Sequence, residues 1–160
     1  MANPTPEQSA REMIDAMLVA SGWMVQSKDA VNLWASCGVA VCELSFSTGA
    51  PDYTLFADGK AIGTVEAKPV GFTLTSVEEQ SAKYVSGLPA GVPAWHSPLP
   101  FCYESTGEET FFTDLLDPEP RSRRVFSFHR PETLIEWAQQ ENQLAERLRE
   151  FPPLVGDRLW

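Results

Sequence analysis

The chain has 160 residues, of which 43% are hydrophobic and 21% are charged, and these values are typical of one globular domain with a substantial core. Its net charge of −10 argues against a broad basic surface for nucleic acid, because phosphate contacts dominate such binding. No apolar run is long enough for a membrane span, and three cysteines without a C-x-x-C pair argue against a structural zinc site. We therefore expect a cytoplasmic protein with free thiols and no membrane partner.

The N-terminal segment predicts a helix. Thr5 is a suitable N-cap, Pro6 suits the first helical position, and Gln8 can complete a capping box. Apolar residues then recur at helical spacing until Gly22, which predicts the end of the helix. This apolar stripe consists of Met13, Ile14, Met17, Leu18 and Val19.

Two strands are predicted after this helix. Residues 23–26 form a short run, and residues 38–46 alternate as on the two faces of a strand. The second strand is expected to run antiparallel to the next one, through a turn at residues 47–50. Glu43 on this strand is either an ordinary half-exposed residue or, if it lies beside Asp52, an additional acid at a metal site.

The following segment predicts a β-hairpin that carries the candidate functional residues. Two alternating stretches flank an Asp-Gly dipeptide that begins at position 58, and this dipeptide is typical of hairpin turns. A two-residue loop would pair Asp52 with Val65. Asp52 would then point away from Glu66, because strand side chains alternate between faces.

A three-residue loop would instead pair Asp52 with Thr64 and place Glu66 diagonally beside Asp52 on the same face. The apolar pattern favours this register, because Ile62 and the polar residues then share the opposite face. The apolar face would consist of Tyr53, Leu55, Ala57, Ala61, Gly63, Val65 and Ala67. We therefore predict the three-residue loop.

The charged residues at the end of the hairpin suggest a reaction. Lys68 follows Glu66 by two residues, so both side chains point the same way from one strand. Two carboxylates and an amine on one face suit metal-assisted hydrolysis of a phosphodiester, since Mg²⁺ prefers oxygen ligands and keeps several waters. For three charged residues alone, a solvated strand end is the plainer interpretation.

The middle of the chain predicts a helix and a second hairpin. Thr75 or Ser76 can cap the helix, and Gln80 and Tyr84 are four residues apart on one face of it. The hairpin is expected to pair two strands, at residues 101–105 and 110–113.

The C-terminal part predicts a strand and a long helix. Phe126 and Phe128 alternate as in a strand, and Pro131 can open a helix that runs to about Glu150. The predicted fold class is α/β, with a mixed central β-sheet flanked by α-helices and a site at one edge of the sheet.

Several of these motifs resemble a known nuclease superfamily. Pro51–Asp52, followed after thirteen residues by Glu66–Ala67–Lys68, resembles the PD-(D/E)xK motif, and Gln80 with Tyr84 resembles its QxxxY extension. Further segments resemble the N-terminal endonuclease domain of the R (restriction and translocation) subunit of type I restriction enzymes: residues 11–15, 22–23, 31–33, 38–41, 58–61, 103–107 and 123–131. The match runs in order along nearly the whole chain.

The resemblance implies a restriction-endonuclease-like fold and a metal-dependent DNA endonuclease. The nuclease domain would occupy residues 1–150, and residues 151–160 would be a linker to a motor domain outside this chain. The implied partners are double-stranded DNA, the methylation and specificity subunits of a restriction complex, and the motor domain in cis. ATP would serve that motor alone.

The resemblance also implies roles for individual residues. Asp52, Glu66 and the Ala67 carbonyl would bind Mg²⁺, for which Mn²⁺ can substitute, and Asp52, Glu66 and Lys68 would be catalytic. Gln80 and Tyr84 would position DNA.

Two further sets of candidates are weaker. Nucleases of this class often add an acid from the first helix, and Glu12 is the candidate here, although an exposed helix acid is the plainer interpretation. Arg121, Arg123 and Arg124 belong to the basic cluster of the chain, and they either contact DNA phosphates or balance nearby acids.

Two alternative functions remain open. The first is a non-catalytic interaction domain of the same fold that docks motor or recognition subunits, which the net acidity favours. The second is a thiol enzyme that uses Cys102 with His96 or His129, for which no motif is present.

Overall fold

The computed structural model describes residues 3, 5–47, 49–71, 88–89, 91–96 and 98–150. The predicted helix that carries Gln80 and Tyr84 lies outside these residues, as does the predicted linker. The described elements follow in this order: α1 (Pro6–Ala20), β1 (Trp23–Ser27), β2 (Gly38–Cys42), β3 (Tyr53–Ala57), β4 (Lys60–Ala67), β5 (Phe101–Ser105), β6 (Thr110–Asp114), β7 (Ser122–Val125) and α2 (Pro131–Glu150). Neither of these two helices combines the length and the apolar character that crossing a membrane requires.

The start and end of α1 follow from its sequence. The Thr5 hydroxyl accepts a hydrogen bond from the Gln8 amide at 3.2 Å, and the Gln8 side chain accepts one from the Thr5 amide at 2.9 Å. These reciprocal bonds satisfy two amides that would otherwise lack partners in the first turn. Gly22 has a φ of 94° just beyond the helix, as expected for a residue that ends one.

The seven strands form one sheet in sequence order, β1 to β7. The pairs β1–β2 and β4–β5 are parallel, and the other four neighbouring pairs are antiparallel. The predicted α/β class with a mixed sheet is therefore confirmed. The hairpin formed by β3 and β4 occupies the middle of the sheet, so the expectation of a site at the sheet edge was wrong.

The turn of this hairpin differs from the prediction. Ala57 pairs with Lys60, so the loop has two residues, Asp58 and Gly59, with φ angles of 50° and 77°. Positive φ at both positions defines a type I′ turn, whose twist matches that of the flanking strands. The predicted three-residue loop was therefore wrong.

A β-bulge then changes the register within the hairpin. Phe56 pairs with Ala61 and Leu55 pairs with Gly63, so Ile62 is an extra residue in β4 without a partner in β3. Tyr53 consequently pairs with Val65. The bulge also moves Ile62 to the face that was predicted for Ala61.

Each face of the sheet has its own apolar cluster. Both helices pack on one face, where α1 contributes Ala10, Ile14 and Leu18 and α2 contributes Leu134 and Ala138. The opposite face carries a second cluster, which consists of Val39, Val41, Phe46, Phe56, Ala61, Leu99 and Cys102. Burial on both faces explains why the middle strands contain so few exposed residues.

Two strands are shorter than predicted. β2 ends at Cys42 because Glu43 has a φ of 54°, which is incompatible with an extended strand. β7 ends at Val125, and Phe126 is 87% exposed whereas Phe128 is buried. The predicted strand through the two phenylalanines was therefore wrong, while the bounds predicted for α2 are confirmed.

Gly38 provides a test of this packing. A Cβ atom at this position would lie 2.1 Å from Cγ of Pro131 and 2.9 Å from the Trp23 ring. We expect Gly38→Ala to lower the free energy of unfolding by about 1–3 kcal/mol, as overpacking does in other cores. Urea denaturation would measure this difference, and an unchanged unfolding midpoint would contradict the close contact between α2 and the start of β2.

Candidate metal centre

The bulge brings the two candidate carboxylates together. Because Tyr53 pairs with Val65, the same register places Asp52 opposite Glu66 on one face of the sheet. The Asp52 Oδ2 atom accepts a hydrogen bond from the Ala67 amide at 2.8 Å, and the Glu66 and Asp52 carboxyls are hydrogen-bonded to each other. The three-residue loop was predicted in order to place both carboxylates on one face. In the structure, a two-residue turn followed by a bulge places them there.

Glu66 is a buried acid, only 8% exposed. Burial is the largest cause that raises its pKa, to about 8, and the hydrogen bond and negative charge of Asp52 add to this effect. Lys68 lowers the pKa of Glu66, and Glu104, which pairs with Glu66 across β4 and β5, raises it. At neutral pH Glu66 therefore holds a proton for much of the time when no cation is bound.

A small cavity lies beside these carboxylates. Its volume is about 220 Å³, and it is lined by Glu7, Arg11, Glu43, Asp52, Ala67 and Lys68. The amide of Lys68 donates to the Ser105 carbonyl at 2.8 Å, so the backbone continues along β5 beyond the end of β4. Glu66 does not line the cavity, and its hydrogen bond to Asp52 connects it to the cavity wall.

The first helix faces this cavity with residues that recur every four positions. Glu7 and Arg11 line the cavity, and Asp15 accepts a hydrogen bond from the Tyr53 hydroxyl. Residues four apart lie on one face of a helix. Glu12 is exposed and does not line the cavity, so Glu7 replaces it as the acid that the first helix presents.

Arg11 bonds two of the acids beside the cavity. Its Nη2 atom donates to the Asp52 carbonyl at 3.1 Å and to Oδ1 of Asp52 at 3.2 Å, and Nη1 donates to Oε1 of Glu43 at 3.0 Å. Burial alone would lower the pKa of Arg11, but Asp52, Tyr53 and Glu43 outweigh burial and raise it. Glu43 does lie beside Asp52, to whose carbonyl its amide donates at 3.0 Å, and its carboxylate pairs with Arg11.

The three candidate arginines occupy different places. Arg121 pairs with Glu119 at 3.5 Å, with both side chains more than 80% exposed. Arg123 lies 5.8 Å from the centre of the Phe112 ring, on the face where the helices pack. Arg123 lines two cavities, of about 460 and 420 Å³, together with Asp114 and Asp117, and Arg121 lines the second of them. The acids beside Arg121 and Arg123 support the interpretation that these two arginines balance nearby negative charge.

Arg124 lies in line with the candidate carboxylates. It pairs with Phe111, which pairs with Glu104, which pairs with Glu66, so these four residues form one row across the sheet. β7 is three strands from β4, which places Arg124 about 14 Å from Glu66 at ordinary strand spacing.

The surroundings of Cys102 and of His129 give no support to a thiol enzyme. Cys102 belongs to the cluster on one face of the sheet, and burial raises the pKa of its thiol. His129 packs against Phe112 and bonds Tyr103 on the other face. The sheet separates the two groups, and a nucleophilic cysteine requires a lowered pKa.

The residues present fit a hard divalent cation. In the described part of the chain, no three His, Cys, Asp or Glu side chains form a group that could hold a metal ion by themselves. Two carboxylates suffice for Mg²⁺, which retains water ligands. Oε1 of Glu66 is buried and has no hydrogen-bond partner among the described residues, so it is available to a ligand.

Comparison with solved structures identifies a protein of similar fold. A fragment assigned as an HsdR subunit of a type I restriction enzyme from Vibrio vulnificus YJ016 superposes with a TM-score of 0.65 and 18% sequence identity. The similarity covers 88% of this chain and 26% of that chain, so this chain spans about a quarter of its length. No family model and no curated protein matches the sequence.

The fold and the comparison define a class. The seven-stranded mixed sheet with its helices is of the restriction-endonuclease-like α/β type, and the HsdR fragment shares this fold. At 18% identity, the similarity concerns the fold, and function has to be argued from the site.

The raised pKa of Glu66 predicts a specific dependence of stability on pH. An acid whose pKa is higher in the folded state stabilises the fold fully below its ordinary pKa, 4.5, and this contribution is lost as pH rises through about 8. Glu66→Gln keeps a neutral side chain at every pH. We compare the free energy of unfolding of this variant with that of the wild type, without divalent cations. We expect the difference to shift in favour of the variant by roughly 1–3 kcal/mol as the pH rises from 5 to 8.5.

Urea denaturation of both proteins across this range would measure the difference. Glu108→Gln, which removes one exposed acid, is a matched control for loss of one acid. A constant difference between Glu66→Gln and wild type at all pH values would contradict a buried, protonated Glu66.

Proposed function

We propose that this chain is a metal-dependent DNA endonuclease domain of the kind found in the R subunit of type I restriction enzymes. The proposal rests on one observation above all. Asp52 and Glu66 are hydrogen-bonded on one sheet face, and Asp52 and Lys68 line the same cavity. The sequence resemblance and the shared fold with an HsdR fragment support it.

The metal would be held by the carboxylates of Asp52 and Glu66 and by the carbonyl of Ala67. When bound, Mg²⁺ or Mn²⁺ would polarise the phosphodiester and acidify a water ligand. Glu66 would give up its proton as the cation enters, because a carboxylate must be ionised to bind a metal. The amide of Ala67 holds Asp52 in place at 2.8 Å.

Lys68 would act on the phosphate. Its side chain lines the cavity beside Asp52, where an ammonium group can orient a water and stabilise the charge that develops on the phosphoryl oxygens. Gln80 and Tyr84 would position the DNA backbone, and Glu7 would be the acid that the first helix adds.

The wider assembly follows from the same proposal. Double-stranded DNA would be delivered by an ATP-driven motor in the same polypeptide, with methylation and specificity subunits as further partners in the cytoplasm. Delivery by other modules would explain how a domain with a net charge of −10 can act on DNA without a broad basic surface.

Replacing Lys68 tests its chemical role. We expect Lys68→Ala to reduce DNA cleavage by the complete assembly at least about a hundredfold, as loss of one charge-stabilising group does elsewhere. Stability should change little, because the backbone bond from Lys68 to Ser105 remains.

Lys60→Ala is the matched control. It removes the same group from the other end of β4, where the ammonium lies 4.7 Å from the Trp95 ring. Plasmid linearisation would be assayed with both variants. A loss of cleavage in Lys68→Ala alone would show an effect of the cavity residue, whereas equal losses would show a general effect of removing a positive charge. Undiminished cleavage by Lys68→Ala would refute the role assigned to Lys68.

The positions of the arginines predict which of them contacts DNA. Arg124 is in line with Glu66, whereas Arg121 pairs with Glu119. We expect Arg124→Ala to weaken DNA binding and to lower the slope of log affinity against log salt by about 1, as for one lost phosphate contact. Arg121→Ala removes the same charge and should leave that slope closer to wild type. Fluorescence anisotropy with duplex DNA would measure both, and equal effects would contradict the distinction.

The net acidity still favours a second function, in which the fold docks other subunits without catalysis. A Mn²⁺ titration separates the two proposals. Saturable binding that is lost in Asp52→Ala supports the nuclease, and identical titrations of wild type and variant support the docking domain.

A further inference from the structure

Arg11 bonds directly to Asp52, one of the two candidate metal ligands. It reaches both the carbonyl and Oδ1 of Asp52, at 3.1 and 3.2 Å. The other carboxylate oxygen of Asp52 accepts the amide of Ala67 at 2.8 Å. Both oxygens of Asp52 are therefore oriented by protein donors from two different elements.

The surroundings keep Arg11 in this position. Its guanidinium carbon lies 5.2 Å from the centre of the Tyr53 ring, and its second amino group bonds Glu43 at 3.0 Å. Its side chain is 31% exposed, and its buried Nε atom has no hydrogen-bond partner among the described residues. Arg11 is thus held by its contacts with the two acids and the ring.

Glu43 shows that this arrangement is imposed by the fold. Its φ of 54° is unfavourable for a residue other than glycine and is retained only where surrounding contacts require it. The amide of Glu43 and the guanidinium of Arg11 share the carbonyl of Asp52 as their acceptor. The residue before β3 is consequently anchored to α1 and to the end of β2.

We propose that Arg11 is a positioning residue with two opposing effects on the metal centre, an inference that rests on the proposed nuclease function. The guanidinium fixes the Asp52 carboxylate in the orientation needed for catalysis. Its positive charge also occupies one side of the carboxylate and repels an entering divalent cation. Arg11 therefore weakens metal binding while it improves the geometry of the bound state.

This combination predicts opposite changes in two measurements. Arg11→Met keeps much of the aliphatic side chain and removes the charge. We expect Mn²⁺ to bind Arg11→Met about tenfold more tightly than wild type, because a unit charge at this range contributes substantially in a half-buried site. DNA cleavage should nevertheless fall at least about tenfold, because Asp52 is no longer held in place.

Arg11→Lys distinguishes charge from geometry. Lysine keeps the positive charge but lacks the planar fork that binds two acceptors at once. Mn²⁺ affinity should stay close to wild type, and cleavage should still fall. Arg147→Met, on the exposed side of α2, controls for the change in net charge.

Mn²⁺ binding to the full chain can be measured by electron paramagnetic resonance of the free ion, with circular dichroism to verify folding. A purely structural role for Arg11 would weaken both Mn²⁺ binding and cleavage, and that result would overturn the inference, as would unchanged Mn²⁺ affinity in a folded Arg11→Met. If wild type shows no Mn²⁺ binding that depends on Asp52, the proposed function fails together with the inference. If wild type binds Mn²⁺ through Asp52 and Arg11→Met does not bind it more tightly, the inference alone fails.

Discussion

The extra residue in β4 is the constraint on which the site depends. The two-residue turn alone would leave Asp52 and Glu66 on opposite faces of the sheet, because strand side chains alternate. Ile62 adds one residue to β4 and restores them to one face, where their carboxyls are hydrogen-bonded. The bulge is stabilised by apolar packing, since Ile62 is fully buried in the larger cluster. Packing in the core thus determines the geometry of the polar site.

Much of the fold could be predicted from short-range signals. The capping box before α1, the Asp-Gly turn and the proline that opens α2 are each specified by residues within one turn of the chain. The bulge could not be predicted, because Ala61 and Ile62 are both apolar and either one fits a buried face. A three-residue loop and a bulged two-residue loop therefore produce the same pattern of polar and apolar residues around Asp52 and Glu66.

The contribution of α1 was missed for a related reason. The stripe that packs on the sheet is evident from the apolar residues, but the side of this stripe that borders Asp52 depends on how the helix crosses the sheet. Glu7 and Arg11 were placed at the cavity by that crossing, and Glu12 was placed in solvent. The available signal in the sequence was the spacing of four residues between Glu7, Arg11 and Asp15, which places them on one face of the helix. In the structure Asp15 on this face accepts a hydrogen bond from Tyr53, the residue directly after Asp52.

The location of the hairpin in the middle of the sheet explains how two acids can be neighbours in an acidic protein. Glu66 is 8% exposed, whereas the side chain of Asp52 is 28% exposed and pairs with Arg11. Burial favours the neutral form of Glu66, and the Asp52 carboxylate pairs with the guanidinium of Arg11 at 3.2 Å. The pair therefore avoids repulsion between two adjacent negative charges when no cation is bound. Because these different environments come from the sheet and from α1, the site requires the whole domain to fold before the acids can act together.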